Sequence, residues 1–315
     1  MKLPITISIP DGFLNEEIRC GYKVSTKMKA VWAVELDLYK ELERVCNKYN
    51  LKLFAFAGTI LGAVRHRGFI PWDDDMDFAM SRKDYDILCE HAIEEFSYPY
   101  YFNSGNTADI SSRGHGQLKN SLTTCILNDE NNDKCCFNQG IYIDIFVYDN
   151  LVNDTKESHK YLVWMQKQNA RMIRYKYCYL GKDYSYGIKR FFKKIYLVIF
   201  YLWNQEYNNR AFDKYQANKK KYIDLDTNLC VFLQFVKKDN LEYLVFEKSL
   251  FSNVISIDYE FLSLCIPSGY QYYLSKAYGD WKKLVKGNTI HGQVFLDPYK
   301  SYTYYLKHRN EIVFD

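Results

Sequence analysis

Leu51-Lys52-Leu53-Phe54-Ala55-Phe56-Ala57-Gly58-Thr59 opens the stretch that decides the fold, and Trp72-Asp73-Asp74-Asp75-Met76-Asp77-Phe78-Ala79-Met80 closes it. The apolar run Leu51 to Ala57 predicts a strand ending at Gly58, and Thr59 to His66 has the pattern of a helix. Arg67-Gly68-Phe69-Ile70-Pro71-Trp72 reads as a loop and Met76 to Met80 as a second strand, with Asp75 and Asp77 flanking Met76. Strand alternation then sends the Asp75 and Asp77 carboxylates to one face. A third strand, Tyr142 to Tyr148, carries Asp144 within Ile143-Asp144-Ile145. It brings Asp144 to the same side if strand order and register cooperate. Three carboxylates from separate strands can hold two divalent cations on a pyrophosphate, so metal-assisted phosphoryl transfer is the leading chemistry.

Working outward, Met28, Val31, Val34, Leu38, Leu42, Val45 and Tyr49 fall at steps of three and four. They describe a long amphipathic helix from Thr26 to Tyr49 that stops at Asn50. Ser81-Arg82-Lys83-Asp84 has capping-box spacing and opens a helix through Phe96. Asp84 is therefore a helix-start residue, outside the site. Asn103 to Gly116 and Asn128 to Gly140 are rich in Asn, Asp, Ser and Gly and are expected to be loops. The alternation of helix and strand gives an α+β core over residues 26–150. From about Asn150 the chain becomes rich in Tyr, Lys and Asn with helical periodicity, which marks a soft boundary before a mainly helical region, 151–315. Within it, Lys189-Arg190 and Lys193-Lys194 border the apolar run Ile195 to Trp203. That composition suits either a membrane interface or a buried helix with a charged shoulder.

The chain has 315 residues, 48% of them apolar, enough for a sizeable core. Its formal charge of +4 is too small a field for wrapping nucleic acid, and small or local anionic partners fit better. Nine cysteines at irregular positions form neither a disulfide framework nor a CxxC zinc pattern, which points to a reducing cytosol. Met1 to Gly12 lacks the apolar run of a signal peptide. Ile195 to Trp203 is about half of the roughly 20 residues that a bilayer-spanning helix needs. The 30 Tyr and 20 Phe could serve sugars or a quaternary ammonium, or reflect an AT-rich genome. The aspartate run imitates an EF-hand opening, but Phe78 and Asp84 stand where that loop needs Gly and Glu. Gly58 and Gly62 do not make a dinucleotide fingerprint.

The continuous segment Ala57-Gly58-Thr59-Ile60-Leu61-Gly62-Ala63-Val64-Arg65-His66-Arg67-Gly68-Phe69-Ile70-Pro71-Trp72-Asp73-Asp74-Asp75-Met76-Asp77 resembles the signature of the LicD phosphotransferase family. The second block of that family is similar to Tyr142-Ile143-Asp144-Ile145-Phe146, and its intervening Lys and Thr to Lys119 and Thr123-Thr124. The resemblance covers about residues 30–150. It implies a nucleotidyltransferase-like mixed β-sheet flanked by helices, moving a phospho-alcohol from a CDP-linked donor onto a glycan hydroxyl. CDP-choline is the best-known donor of the family, while fukutin-type relatives use CDP-ribitol, so the motif leaves the alcohol open among choline, ethanolamine, ribitol and glycerol. The implied acceptor is a surface polysaccharide, teichoic acid or lipopolysaccharide precursor. A lipid-linked acceptor would bring a cytoplasmic enzyme to the inner membrane face.

Asp75 and Asp77 are expected to hold Mg²⁺ or Mn²⁺, with Asp144 ligating a second ion or accepting the proton of the acceptor hydroxyl. Asp73 is a further candidate ligand or a loop-holding residue, and Asp74 a solvated one. Gly58 and Thr59 are expected at the phosphates, with Arg65 and Lys119 as anion contacts; Arg65 could instead be an exposed helix charge. Trp72 either stacks on cytosine or packs beneath the loop. His66 and His291 receive no proton-transfer role. Two other readings remain: a nucleotidyltransferase adding NMP to a small molecule or protein, and a catalytically silent glycan- or choline-binding module.

Overall fold

The computed structural model describes residues 2–106, 113–179, 192, 195, 210, 212–236, 238–287 and 292–314. Helix α1 (Thr26–Lys48) starts where the Ser25 hydroxyl accepts a hydrogen bond from the Met28 amide at 3.2 Å. It ends where Asn50 turns left-handed at φ 54°. From Lys29 to Tyr39 every residue of α1 is buried, so the helix runs through the interior rather than along a surface. Two of its buried charges are matched. Lys29 pairs with Glu17 at 2.8 Å, and Asp37 accepts from the amides of Thr6 and Ile7 and the hydroxyl of Tyr100. The third, Glu35, leaves Oε2 without a hydrogen-bond partner.

After a short hairpin, β1 (Glu17–Arg19) with β2 (Tyr22–Val24), come α1 and then β3 (Phe54–Ala55), α2 (Ala57–His66), β4 (Asp77–Ser81) and α3 (Arg82–Glu95). Strands β5 (Tyr100–Asn103), β6 (Gly116–Asn120), β7 (Thr124–Leu127) and β8 (Ile141–Leu151) follow, then α4 (Thr155–Tyr179). The central sheet has the order β10-β9-β8-β4-β3, with β9 (Leu229–Val231) and β10 (Val245–Glu247) drawn from late in the chain. Strand β6 pairs with the first half of β8, and β5 with β6. Only β4 and β8 run parallel; the other pairs are antiparallel, so the sheet is mixed and flanked by helices, as the fold class requires. A parallel pair needs a long crossover, which here is α3 with β5 to β7.

Details differ from the sequence expectation for local reasons. The strand expected over 51–57 shortens to Phe54–Ala55 because Ala57 takes φ +44° and turns the chain into α2. Strand β4 begins at Asp77, which leaves Asp75 in the preceding loop. Part of the loop expected over 103–116 is β5 and β6 ends, and Lys119 sits within β6.

Beyond Asn150 the structure holds α4 but also strands. Besides β9 and β10, β11 (Val254–Tyr259) and β12 (Leu262–Pro267) form a hairpin against β3, and β13 (Val294–Asp297) pairs with β7. Short helices α5 (Ser249–Ser252), α6 (Tyr270–Tyr278) and α7 (Tyr302–Lys307) lie between and after them. The sheet thus crosses residue 150 without a break, because period-two runs of three to six residues gave no signal against the Tyr- and Lys-rich background. Of the segment Lys189 to Trp203 only Phe192 and Ile195 are described, both exposed. The remainder of it, and His291, lie outside the described residues. No helix among the described residues is long and apolar enough to cross a membrane.

The core gathers both halves of the chain. Trp32 stacks on Phe69 at 4.5 Å, Tyr39 on Phe78 at 4.9 Å, and Phe54 on Phe251 at 5.4 Å. At the far end of the β4–β8 pair, Arg82 Nε and Nη2 donate to the two oxygens of Asp149 at 2.7 and 3.2 Å, a bidentate ion pair with both side chains buried.

Candidate active site

The parallel register of β4 with β8 places Asp77 directly beside Asp144, and the Asp144 amide donates to the Met76 carbonyl at 3.0 Å. Register-paired residues project to the same face, so the two carboxylates share one side of the sheet. Asp144 is held from β6. Gln117, its antiparallel partner, donates Nε2 to Oδ1 at 2.7 Å. His115 Nε2 lies 3.2 Å from the same oxygen. Burial pushes the Asp144 carboxyl up, but His115, Gln117 and Arg113 together outweigh it and hold it at about 2. Asp144 is therefore an anion, with Oδ2 unbonded among the described residues.

The turn from β3 into α2 faces this pair. The Thr59 hydroxyl is buried and accepts from the Asp77 amide at 2.7 Å, fixing the start of β4. Thr59 thus positions an aspartate by its hydroxyl. Within the first turn of α2, the Ala57 amide donates to the Tyr273 hydroxyl, and the Thr59 and Ile60 amides to the Phe56 carbonyl. The Gly58 amide has no acceptor among the described residues. A Cβ on Gly58 would come within 2.8 Å of Asp73 Oδ2, so a larger residue there would make that carboxylate shift. Ala57 holds its left-handed φ at a cost of about 1–2 kcal/mol.

The loop itself is pinned from several sides. Trp32 Nε1 donates to the Asp73 carbonyl at 3.0 Å. The Phe69 amide donates to Glu260 Oε1 at 3.0 Å, and the Glu260 amide to the Arg67 carbonyl at 2.7 Å. Gly62 and Gly68 are needed for this closeness. A Cβ at Gly62 would meet the Gly68 carbonyl oxygen at 2.5 Å, and one at Gly68 would overlap Glu260.

Held this way, Asp73, Asp74 and Asp75 each offer an oxygen within 4.8 Å of the others. Burial, then Asp75 and Asp74, push the Asp73 carboxyl up to about 8. Burial, then Asp75, Asp144 and Asp73, push Asp77 well above the carboxylate range. Such a concentration of half-buried carboxylates is costly unless protons or a cation compensate it. Asp73, Asp74 and Asp75 offer oxygen donors of the kind a hard divalent ion takes, with Asp77 and Asp144 on the adjoining strands.

The remaining expected residues are placed as follows. Arg65 is half-buried and donates to the carbonyls of Trp281 and Lys283, tying the segment after α6 to the motif helix. Lys119 is buried, donates to the Asn138 carbonyl at 3.0 Å and lies 5.4 Å from the Tyr142 ring centroid; burial and then Arg113 lower it to about 8. Trp72 packs edge-on against Tyr22 at 6.0 Å. Asp74, expected to be solvated, is only half-exposed and faces a small cavity.

Four residues went unread in the sequence. Glu35 lay on what appeared as an ordinary helix, although a Glu among Val34, Leu36 and Leu38 was a usable signal. His115 sat in the loop expected over 103–116 and Gln117 just past its end, so the pairing of β6 with the Asp144 strand gave no local signal. Tyr273 carries no local signal.

Residues 50–180 match the family model described as LicD/FKTN/FKRP, nucleotidyltransferase domain. The chain is 25% identical over 252 residues to the lipopolysaccharide cholinephosphotransferase LicD of Haemophilus influenzae, covering 79% of this chain and 89% of that protein. It is also 39% identical over 83 residues to an uncharacterised protein of Rickettsia prowazekii, covering 26% of this chain and 30% of that one. The matched residues 50–180 hold every expected site residue, so the similarity to the LicD/FKTN/FKRP nucleotidyltransferase domain lies where the candidate site is.

Proposed function

We propose that the protein transfers phosphocholine from CDP-choline onto a sugar hydroxyl of a lipopolysaccharide or related surface-glycan precursor, releasing CMP. The observation that carries this reading is the register pair Asp77–Asp144 beside the Asp73–Asp75 loop, in a chain similar along most of its length to a lipopolysaccharide cholinephosphotransferase. Asp75, Asp77 and Asp144, with Asp73, would hold Mg²⁺ or Mn²⁺, which supplies charge neutralisation of the pyrophosphate. The Gly58 amide and Lys119 of β6, with Arg113 ahead of that strand and paired with Glu130 at 2.8 Å, are the protein groups suited to phosphate oxygens. The acceptor hydroxyl oxygen forms a bond to the phosphorus bearing choline, the bond from that phosphorus to the bridging oxygen breaks, and CMP leaves with that oxygen. Asp144 would ligate the metal or accept the proton of the acceptor hydroxyl, with His115 and Gln117 holding its carboxylate in place. The reaction is placed on the cytoplasmic side, with peripheral contact to the inner membrane face where the acceptor is lipid-linked.

The test is CMP release with Mg²⁺ or Mn²⁺ from CDP-choline, CDP-ethanolamine, CDP-ribitol and CDP-glycerol, with and without a glycan acceptor. Release from CDP-choline that disappears in Asp75→Ala supports the reading; selective release from another donor replaces the alcohol. Pyrophosphate released from a nucleoside triphosphate instead would identify a nucleotidyltransferase. Ligand binding that survives chelation, with no turnover of any donor, would identify a binding module.

A further inference from the structure

We propose that Glu35, Asp74 and Asp75 form a divalent-cation site of their own, beneath the acidic loop on the side of α1. The proposal rests on the metal-binding reading of the aspartates and not on the identity of the donor. A cavity of about 10 Å³ lies between Glu35, Asp74 and Asp75 on one side and Cys125, Tyr142 and Leu296 on the other. That is room for about one water-sized sphere. Neither Asp77 nor Asp144 lines it. It is therefore separate from the carboxylate pair on the sheet.

Glu35 is the group that makes this a site. Its side chain is 1% exposed and Oε2 has no partner, whereas Lys29 and Asp37 on the same buried helix are each matched by protein groups. A helix that satisfies two buried charges and leaves an oxygen of the third unpartnered, at a cavity that two aspartates also line, offers an oxygen ligand there. No positive side chain lines the cavity, and its other walls are Tyr142, Cys125 and the aliphatic chains of Ile141, Val294 and Leu296. Three carboxylates around a small, partly open and otherwise largely apolar space match a small hard cation that takes oxygen ligands. Asp75 lies at the boundary of the two sites, and a carboxylate shared by two ions is a common arrangement in paired-metal centres.

Mn²⁺ titration of the metal-stripped full chain, read by the electron paramagnetic resonance of the free ion, tests this directly. Two Mn²⁺ per wild-type chain are expected. Glu35→Gln, close in shape, should lose one of them or bind it at least about tenfold more weakly. Asp77→Asn should weaken the other and keep the Glu35-dependent one. Wild-type numbers and affinities in Glu35→Gln would overturn the proposal, and so would a single wild-type ion abolished by Asp77→Asn. Circular dichroism checks that the variants fold. If Glu35→Gln does not, Glu35→Asp retains the charge at shorter reach and should still bind the second ion about tenfold more weakly; unchanged affinity there overturns the proposal. Two Mn²⁺ on a chain that turns over no donor would support this site while overturning the transferase reading.

Discussion

The two ends of the β4–β8 pair are built from the same kinds of residue in opposite ways. At one end Asp77 and Asp144 stand side by side, with Asp73 and Asp75 close by and no cation among the described residues aligned on Asp77. At the other end Asp149 meets Arg82 in a bidentate pair with both groups buried. A matched ion pair fixes the sheet to α3. The unmatched end keeps carboxylates in a state that is unfavourable without a counter-ion, and that disfavour is what makes it able to hold one. Stability and reactivity are thus separated by one strand length.

Removing charge from each end should break the comparison in opposite directions. Asp77→Asn is expected to lower CMP release at least about a thousandfold, roughly 4 kcal/mol of transition-state stabilisation. Its melting temperature should be unchanged or higher, because a repelled carboxylate is gone. Asp149→Ala should do the reverse: a loss of about 3–5 kcal/mol of stability in denaturant titration, with turnover per folded molecule close to wild type. A variant at Asp149 that kept full stability would show that the pair is not what anchors α3.

A smaller effect sharpens the contrast through pH. Asp73 is raised to about 8 and Asp77 is raised as well, so the stability they allow the metal-free chain is fully present below the ordinary aspartate range and is lost as pH rises through the raised values. Asp144, held at about 2, behaves oppositely and contributes nothing to the slope above pH 5. Melting of metal-free protein should therefore fall between pH 5 and 9, and Mn²⁺ should raise it more at pH 8 than at pH 6. A flat profile, or equal Mn²⁺ stabilisation at both values, would contradict the picture of the unmatched end. Smaller still, Gly62→Ala forces a methyl to within 2.5 Å of the Gly68 carbonyl oxygen, and should cost about 1–3 kcal/mol while leaving the Asp149 end untouched.

How much of this was legible in the sequence depends on the range over which each feature is specified. The strand, turn and helix around Gly58 and the capping of α3 at Ser81 were readable because both are set by residues within a few positions. The alignment of Asp77 with Asp144 was stated only conditionally, since register is settled by pairing across more than sixty residues. The residues that hold the aspartates and the turn from other elements were not readable. Gln117 and His115 acquire their roles from the β6–β8 pairing, and Glu260 and Tyr273 from a hairpin and a helix far downstream. Thr59 shows the limit from the other side: its residue type and position were noticed, but not that its hydroxyl accepts from the Asp77 amide.

The contacts of Glu260 with the Arg67–Phe69 loop, and of Tyr273 with the first turn of α2, also set an order of events in time. Ribosomes add about 5–20 residues per second, so on the order of 10–40 s separate the emergence of the acidic loop from that of its two downstream clamps. Through that interval the nascent chain carries the full family motif without the groups that fix its shape. A polypeptide ending near residue 180 would contain the aspartates in the correct order and still lack the finished centre.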